Sequence, residues 1–380
     1  MPVLSKPGAF TLLAVATTTI MVGCVIVPGL PSIAGQLGVA DAAGWLVTLP
    51  ALGVILCAPL AARLITRVGN RRALCLGLFA WGLLGAAGML LRGSVAVFAD
   101  RLLLGGATAV VMAAGTGLIS DYYAGAARLA MIARQGMAIE LGGVLFLFAG
   151  GLLASAGWRW PFLLYLVGWL LLAMVLAWVP VPSAGSAAPS RANSARLAPT
   201  LPWICGAAVL AMVLFFTAVI VLPRRLHAAG FSEAQTGYFL SCVSLVAVLA
   251  AACMPRLVAR FGDASVLVIA FVGFAGGHAC FAAATGLAQL TLGALALGAG
   301  FGFSVPLVNA MTVEHSAPDA RARALSWLAM AVFGGQFLAS FMELAGGAAA
   351  SVFRIAAVLA MLAAVAIQLC RQRFDLAAAT

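Results

Sequence analysis

Apolar residues do not alternate along this chain; they run. Continuous apolar stretches fall at 10–30, 43–64, 73–91, 94–118, 130–154 and 160–179, and again at 202–222, 235–255, 265–284, 288–311, 325–346 and 351–370. Each is close to the ~20 residues that an α-helix needs to cross a bilayer core ~30 Å thick. The runs are far longer than the ~10-residue alternating strands of a membrane barrel, and hydrocarbon offers no water to satisfy open backbone groups, so the pattern predicts helices. The one long polar interruption, residues 180–201 (PVPSAGSAAPSRANSARLAPTL), is rich in Pro, Ala and Ser and reads as a flexible linker. The expectation is an all-α membrane protein with twelve transmembrane helices in two six-helix bundles, 1–179 and 202–380.

Composition agrees. Of 380 residues, 64% are hydrophobic and 8% charged, whereas a soluble domain carries roughly a quarter charged residues; soluble, disordered and disulfide-scaffold classes are excluded. With the N-terminus placed in the cytoplasm, five cations face outward (Arg92, Arg159, Arg224, Arg225 and Arg354), Arg101 lies inside a span, and the other fifteen of the 21 Lys and Arg face inward. By the positive-inside rule both termini are expected in the cytoplasm. The formal net charge of +11 then reflects topology and affinity for anionic headgroups, and no soluble region exists to present a basic face to nucleic acid. Lys6 precedes an apolar run longer than a signal core, so the N-terminus reads as an uncleaved first span. The eight cysteines lie in or at the ends of apolar segments without a Cys-x-x-Cys pair and read as inert buried thiols. There are three histidines and no His/Cys/Asp cluster of metal-ligand spacing, so neither a metal, a cofactor nor an enzymatic site is expected.

The chain also repeats itself. Ala62-Arg63-Leu64-Ile65-Thr66-Arg67-Val68-Gly69 and Pro255-Arg256-Leu257-Val258-Ala259-Arg260-Phe261-Gly262 share four of eight positions at an offset of 193. The same offset carries the first, fourth and fifth spans onto the seventh, tenth and eleventh. It maps Gly105 onto Gly298, and Asp121 with Arg128 onto Glu314 with Arg321. An even number of helices per repeat means that both halves insert the same way up, an architecture of transporters with a site at the midplane.

With these residues in view, the chain resembles the major facilitator superfamily over essentially its whole length. That family carries Gly-x-x-x-Asp-Arg-x-Gly-Arg-Lys/Arg between its second and third helices; here residues 62–71 read A-R-L-I-T-R-V-G-N-R, matching at Arg67, Gly69 and Arg71, with Ala62 and Thr66 in place of the first Gly and the Asp. A second signature, an Arg followed by small residues in the fourth helix, is met by Arg101, Gly105 and Gly106. The stretch from Asp121 to Tyr165, with Gly150-Gly151 and Gly157-Trp158-Arg159-Trp160-Pro161-Phe162, is most similar to bacterial drug-efflux and metallophore-export members, although the Gly-Pro that such exporters carry before the glycine pair is missing. The resemblance implies a bacterial inner-membrane transporter that works by alternating access. It also implies that the loop after the second helix latches the cytoplasmic ends.

Ionisable residues inside a span are costly, so each is a functional candidate. Arg101 lies seven residues into the fourth span from outside, ~10 Å deep, and Glu140 ten residues into the fifth from inside, ~15 Å deep. In a ~30 Å core these depths agree to about one turn, and an Arg101–Glu140 pair between antiparallel neighbours is expected. At the offset Arg101 becomes Ala294 and Glu140 becomes Phe333, so these charges belong to one half only. Glu140 reads as the proton-coupling group; a permanent pair that merely joins two helices is the alternative. Asp100 is a further candidate, but helix neighbours point about 100° apart, so one of Asp100 and Arg101 is expected to face away from the cavity. Glu343 is expected near the outer interface, and His278 as a hydrogen-bonded structural histidine. Gln336, Asn309 and Thr17–Thr19 are candidates for polar contacts to a ligand, with helix-to-helix hydrogen bonds as the alternative for each. A cytoplasmic gate is assigned to Arg63, Arg67, Gly69, Arg71, Asp121 and Arg128 in one half and Arg256, Arg260, Gly262, Glu314 and Arg321 in the other, with Asp121 and Glu314 pairing with cations such as Arg67 and Arg260.

The reading is a monomeric secondary transporter whose partners are a small organic substrate, protons and the lipid bilayer. Export in exchange for protons is preferred; uptake of a small organic acid by proton symport is the alternative, and a membrane-embedded receptor or enzyme is a third.

Overall fold

A segment of 20 or more apolar residues placed in hydrocarbon has to satisfy every backbone N–H and C=O from within itself, and the chain does so with helices. The computed structural model describes residues 4–181, 197–317 and 320–371. The body of the expected linker, 182–196, lies outside the described residues, as does Arg373.

The helices are α1 (Lys6–Cys24), α2 (Leu30–Leu37), α3 (Trp45–Val68), α4 (Asn70–Ala87), α5 (Ser94–Tyr122), α6 (Gly125–Ala156), α7 (Trp160–Leu163), α8 (Val167–Trp178), α9 (Leu201–Ala228), α10 (Glu233–Phe261), α11 (Asp263–Ala283), α12 (Leu287–Glu314), α13 (Arg321–Gly346) and α14 (Ala349–Leu369). A 3-10 turn, Leu164–Leu166, joins α7 to α8, so Trp160–Trp178 acts as one span. Eleven of the described segments are long and apolar enough to cross a membrane. The twelfth expected span is α4, an 18-residue helix that begins Asn70-Arg71-Arg72.

Where the helices depart from the apolar runs, the cause is local. The first run was expected to continue to residue 30, but α1 stops at Cys24. Pro28 has no N–H to return to the Cys24 carbonyl, and the amide of Val27 bonds that carbonyl instead, at 3.2 Å. The chain resumes as α2, which ends at Gly38 in the left-handed region (φ 76°). The carbonyls left open at the end of α2 are met from outside the helix: the Gly93 amide donates to Leu37 at 2.9 Å and the Arg92 guanidinium to Gln36 at 3.0 Å. At the other extreme α6 has 32 residues, ~48 Å at 1.5 Å per residue, because a helix does not end where its hydrophobicity does.

The described residues of Met1–Ser190 and Ala229–Ser241 form one compact unit, and those of Arg191–Ala228 and Cys242–Thr380 form another. The first turns of α10 thus belong with the first unit.

Internally the two units are built alike. In the first, α3 packs on α5, α4 on α5 and α1 on α6; in the second, α11 packs on α12 and α9 on α13, and Gly298 and Gly302 of α12 lie against Val243 and Ala247 of α10. A Cβ added to Gly105 would intrude on the Pro50 carbonyl, and one added to Gly298 would lie 2.6 Å from the Val243 carbonyl. Both pairs are related by the 193-residue offset. Small residues there let two backbones touch, which is the main source of cohesion between helices in a solvent as apolar as they are.

The turn inside the repeated motif is a single residue in each unit. Gly69 (φ 81°, ψ 159°) joins α3 to α4, and Gly262 (φ 79°, ψ 162°) joins α10 to α11. This backbone region is open to glycine alone. A Cβ at either site would meet nothing within 4 Å, so Gly69→Ala or Gly262→Ala isolates the conformational cost. Each is expected to lower stability by about 1–3 kcal/mol, read as a drop in the unfolding midpoint of the detergent-solubilised protein, and an unchanged midpoint would contradict the assignment of the turn.

Candidate functional site

The first unit carries the intramembrane charges. Asp100 and Arg101 are consecutive on α5 and 6% and 1% exposed. Arg101 Nη2 and Nε both donate to Asp100 Oδ2, at 2.8 and 3.2 Å. The guanidinium lies over the rings of Phe162 and Tyr165, 5.5 and 5.7 Å from their centroids, a placement that favours a cation. It is wedged against the end of α4, where a Cβ on Gly88 would come 2.5 Å from Nη2. Tyr165 in turn donates its hydroxyl to the Val22 carbonyl at 2.8 Å. Arg101 Nη1 has no hydrogen-bond partner among the described residues.

Two expectations are corrected here. Asp100 and Arg101 do not face apart: the 100° rule fixes only the Cβ directions, and a stem as long as that of arginine folds back across them. Nor does Arg101 pair with Glu140. Among the described residues Glu140 has neither an ion pair nor a hydrogen bond. The two groups sit at different levels. Gly142 packs against Thr17 and Gly150 against Val25, so α1 and α6 run in parallel register and Glu140 lies just below Thr17. Arg101 is tied by Tyr165 to the level of Val22, ~10 Å away at 1.5 Å per residue.

Glu140 is half-buried near the middle of α6. It shares a helical stripe with Val144, Leu147 and Gly151. Within the first unit that stripe meets the start of α10: the Ser241 hydroxyl donates to the Val144 carbonyl at 3.1 Å, a Cβ on Gly151 would lie 2.8 Å from the Gly237 Cα, and the rings of Phe148 and Tyr238 stack at 5.1 Å. Glu140 therefore lies one turn beyond a tight helix crossing, on the face that makes it.

At the arginine-rich end of the same unit the motif residues divide their work. Arg71 Nε donates to the Val179 carbonyl at 2.6 Å and Nη2 to Leu176 at 3.1 Å, filling acceptors that the end of α8 leaves open; it also opposes the negative end of that helix dipole. Tyr122 donates its hydroxyl to the Pro180 carbonyl. Asn70 Nδ2 donates to Asp121 Oδ2 at 2.8 Å, tying the start of α4 to the end of α5. Asp121 thus holds Asn70 and not Arg67, and the expected Asp121–Arg67 pair is not formed. Arg63, Arg67 and Arg128 are exposed. Nothing in the sequence marks Asn70, a neutral residue between Gly69 and Arg71, as the partner of an acid. Arg71→Ala removes two charge-assisted bonds and is expected to cost about 2 kcal/mol, measured as a lower unfolding midpoint; no change would contradict its placement.

In the second unit Glu314 ends α12 exposed, and Arg256 and Arg260 are exposed on α10. The expected Glu314–Arg260 pair is absent too: Arg260 lies over the ring of Phe261 at 5.3 Å, and Arg321 donates to the Val313 carbonyl at 3.1 Å. Glu343 meets Arg224 at 3.6 Å. His278 is fully buried with Nε2 3.0 Å from the Leu214 carbonyl. Asn309 donates to its own helix at Val305, and Thr17 and Thr18 bond Ala14 and Val15. Cys242 and Cys253 are exposed, where buried thiols were expected.

The sequence profile of the Major Facilitator Superfamily matches residues 10–225 and again residues 204–373. The chain belongs to that superfamily. As a member, it is a multi-pass membrane protein and a secondary transporter, not an enzyme. Solved structures agree in fold. The nucleoside transporter NupG matches with a TM-score of 0.78 at 14% identity, over 95% of this chain and 99% of that one. The inward-open xylose transporter XylE from E. coli gives 0.75 at 16%, over 96% of each chain. A bacterial homologue of the human lysosomal transporter Spinster gives 0.74 at 16%, over 98% and 97%. A search of curated protein sequences finds no match.

Proposed function

We propose that this member of the superfamily is a monomeric exporter of a small organic compound, drug-like or metallophore-like, in exchange for protons across a bacterial inner membrane. In this reading the halves 1–179 and 202–380 alternate access about the 180–201 linker, with both termini in the cytoplasm and the arginine-rich ends, including Gly69, Gly262 and Arg321, forming the inner gate. Glu140 carries the proton, and the Asp100–Arg101 pair shapes the field around it.

The observation that supports this is the solitude of Glu140. An ionisable group in a span costs roughly 2.5–3.5 kcal/mol. Asp100 recovers part of that cost by pairing, whereas Glu140 has neither an ion pair nor a hydrogen bond among the described residues. A group that must take up and release a proton explains its presence, and its place beside a helix crossing lets a change of packing alter its surroundings. Export rather than uptake rests on the resemblance of the stretch from Asp121 to Tyr165, with Gly150-Gly151 and Gly157-Trp158-Arg159-Trp160-Pro161-Phe162, to exporter-type members.

The test is purified protein in proteoliposomes holding a pH-sensitive dye, offered a panel of lipophilic cations, metallophores and organic acids. Proton movement opposite to a compound gradient, present only with the protein, is the expected result. Protons moving with the compound would replace exchange by symport. For the gate, Asp121→Ala, which removes the bond from Asn70 that ties α4 to α5, is expected to shift the balance of inward- and outward-open states in a cysteine-accessibility assay, and an unshifted balance would remove Asp121 from it.

A further inference from the structure

Arginines at the ends of α3 and α10 lack the carboxylates expected to neutralise them. On α3, Leu56, Leu60, Arg63 and Arg67 follow at spacings of four, three and four, which places them along one stripe. All four are exposed, the two leucines at 57% each. The sequence holds no Asp or Glu between Asp41 and Asp100, and neither guanidinium has an ion pair or hydrogen bond among the described residues. Thr66, the nearest polar neighbour, turns its hydroxyl to the Arg63 carbonyl at 2.9 Å. Like charges one turn apart disfavour the helix that carries them unless an anion intervenes.

The stripe occurs again at the 193-residue offset. On α10, Leu249, Cys253, Arg256 and Arg260 take the same positions, and all four are exposed, Leu249 at 59%. Arg256 and Arg260 also lack a carboxylate partner among the described residues. The other arginines of this end differ. Arg71 spends its donors on α8, and Arg72 is exposed on α4, off the stripe.

We propose that each stripe binds one anionic phospholipid of the leaflet at the arginine-rich end, its phosphate shared by the two guanidinium groups and an acyl chain lying along the apolar positions below them. Charge complementarity selects the headgroup: arginine forks match phosphate oxygens, and an anionic leaflet attracts each cation held near its surface. The apolar positions select a lipid over a free anion, because a soluble phosphate would use the arginines and leave the rest of the stripe without a role. This inference concerns the ends of α3 and α10, which the proposed function also places at the inner gate, and its test reads lipid retention and not transport.

The full-length protein in nanodiscs of mixed phosphatidylglycerol and phosphatidylcholine, with retained lipids counted by native mass spectrometry after extraction, provides the test. Wild type is expected to retain phosphatidylglycerol preferentially. Arg63→Gln with Arg67→Gln should reduce that preference on the order of tenfold at one site, following the strength of cation contacts at an anionic surface, and Arg256→Gln with Arg260→Gln should do so at the other. Arg72→Gln is expected to leave it intact, while Leu56→Ser with Leu60→Ser lowers retention without altering charge. Unchanged retention in both arginine double variants would overturn the proposal. So would an equal loss with Arg72→Gln, which would mean diffuse surface charge, or displacement of the lipid by excess inorganic phosphate, which would mean a small-anion site.

Discussion

Asp100→Ala is expected to destabilise the protein by about 3–5 kcal/mol, the usual cost of stranding one member of a buried ion pair. The partner left behind would be Arg101, 1% exposed, with Nη1 already lacking a hydrogen bond among the described residues. The rings of Phe162 and Tyr165 soften the loss without replacing an anion. Removing both charges is a different experiment. Asp100→Leu with Arg101→Met keeps approximate volume and leaves nothing uncompensated, so most of the lost stability should return. Unfolding midpoints of the three proteins in one detergent give the comparison. If the single variant matches wild type, the pair is not buried as described. If the double variant is stable yet impaired in proton exchange, the pair serves transport as well as cohesion.

Glu140→Gln is expected to do the reverse: little change in stability and complete loss of proton coupling. No ion pair or hydrogen bond is broken by the change among the described residues, and the glutamine side chain is nearly isosteric. What disappears is the ability to bind and release a proton in the span. Substrate exchange across a membrane with no pH difference should survive, whereas accumulation driven by a pH gradient should fall to the level of empty liposomes. Loss of both activities would make Glu140 a substrate ligand instead of a proton carrier.

The repeat explains why so much of the fold was legible in the sequence. A match of four residues around Gly69 and Gly262 gives an offset that later holds for the turn geometry at those glycines and for the contacts of Gly105 and Gly298. Patterns fixed by backbone approach survive in sequence because only glycine satisfies them. The site was less legible for two physical reasons. Helix geometry specifies where a Cβ points, and arginine is long enough to disregard it, which is how Arg101 reaches Asp100. Depth counted along two separate runs also fixes relative level only to about a turn, whereas the register of Gly142 on Thr17 and of Gly150 on Val25 sets Glu140 ~10 Å from the level of Arg101. The partner of Asp121 was illegible for a third reason: it is the neutral Asn70, which carries no charge to mark it.

The most direct test of the central claim is the internal pH of proteoliposomes after a gradient of an exported compound is imposed, for wild type and Glu140→Gln side by side. Proton movement opposite to the compound in wild type, and none above background in Glu140→Gln, is the predicted result. Equal proton movement in the two proteins would contradict it.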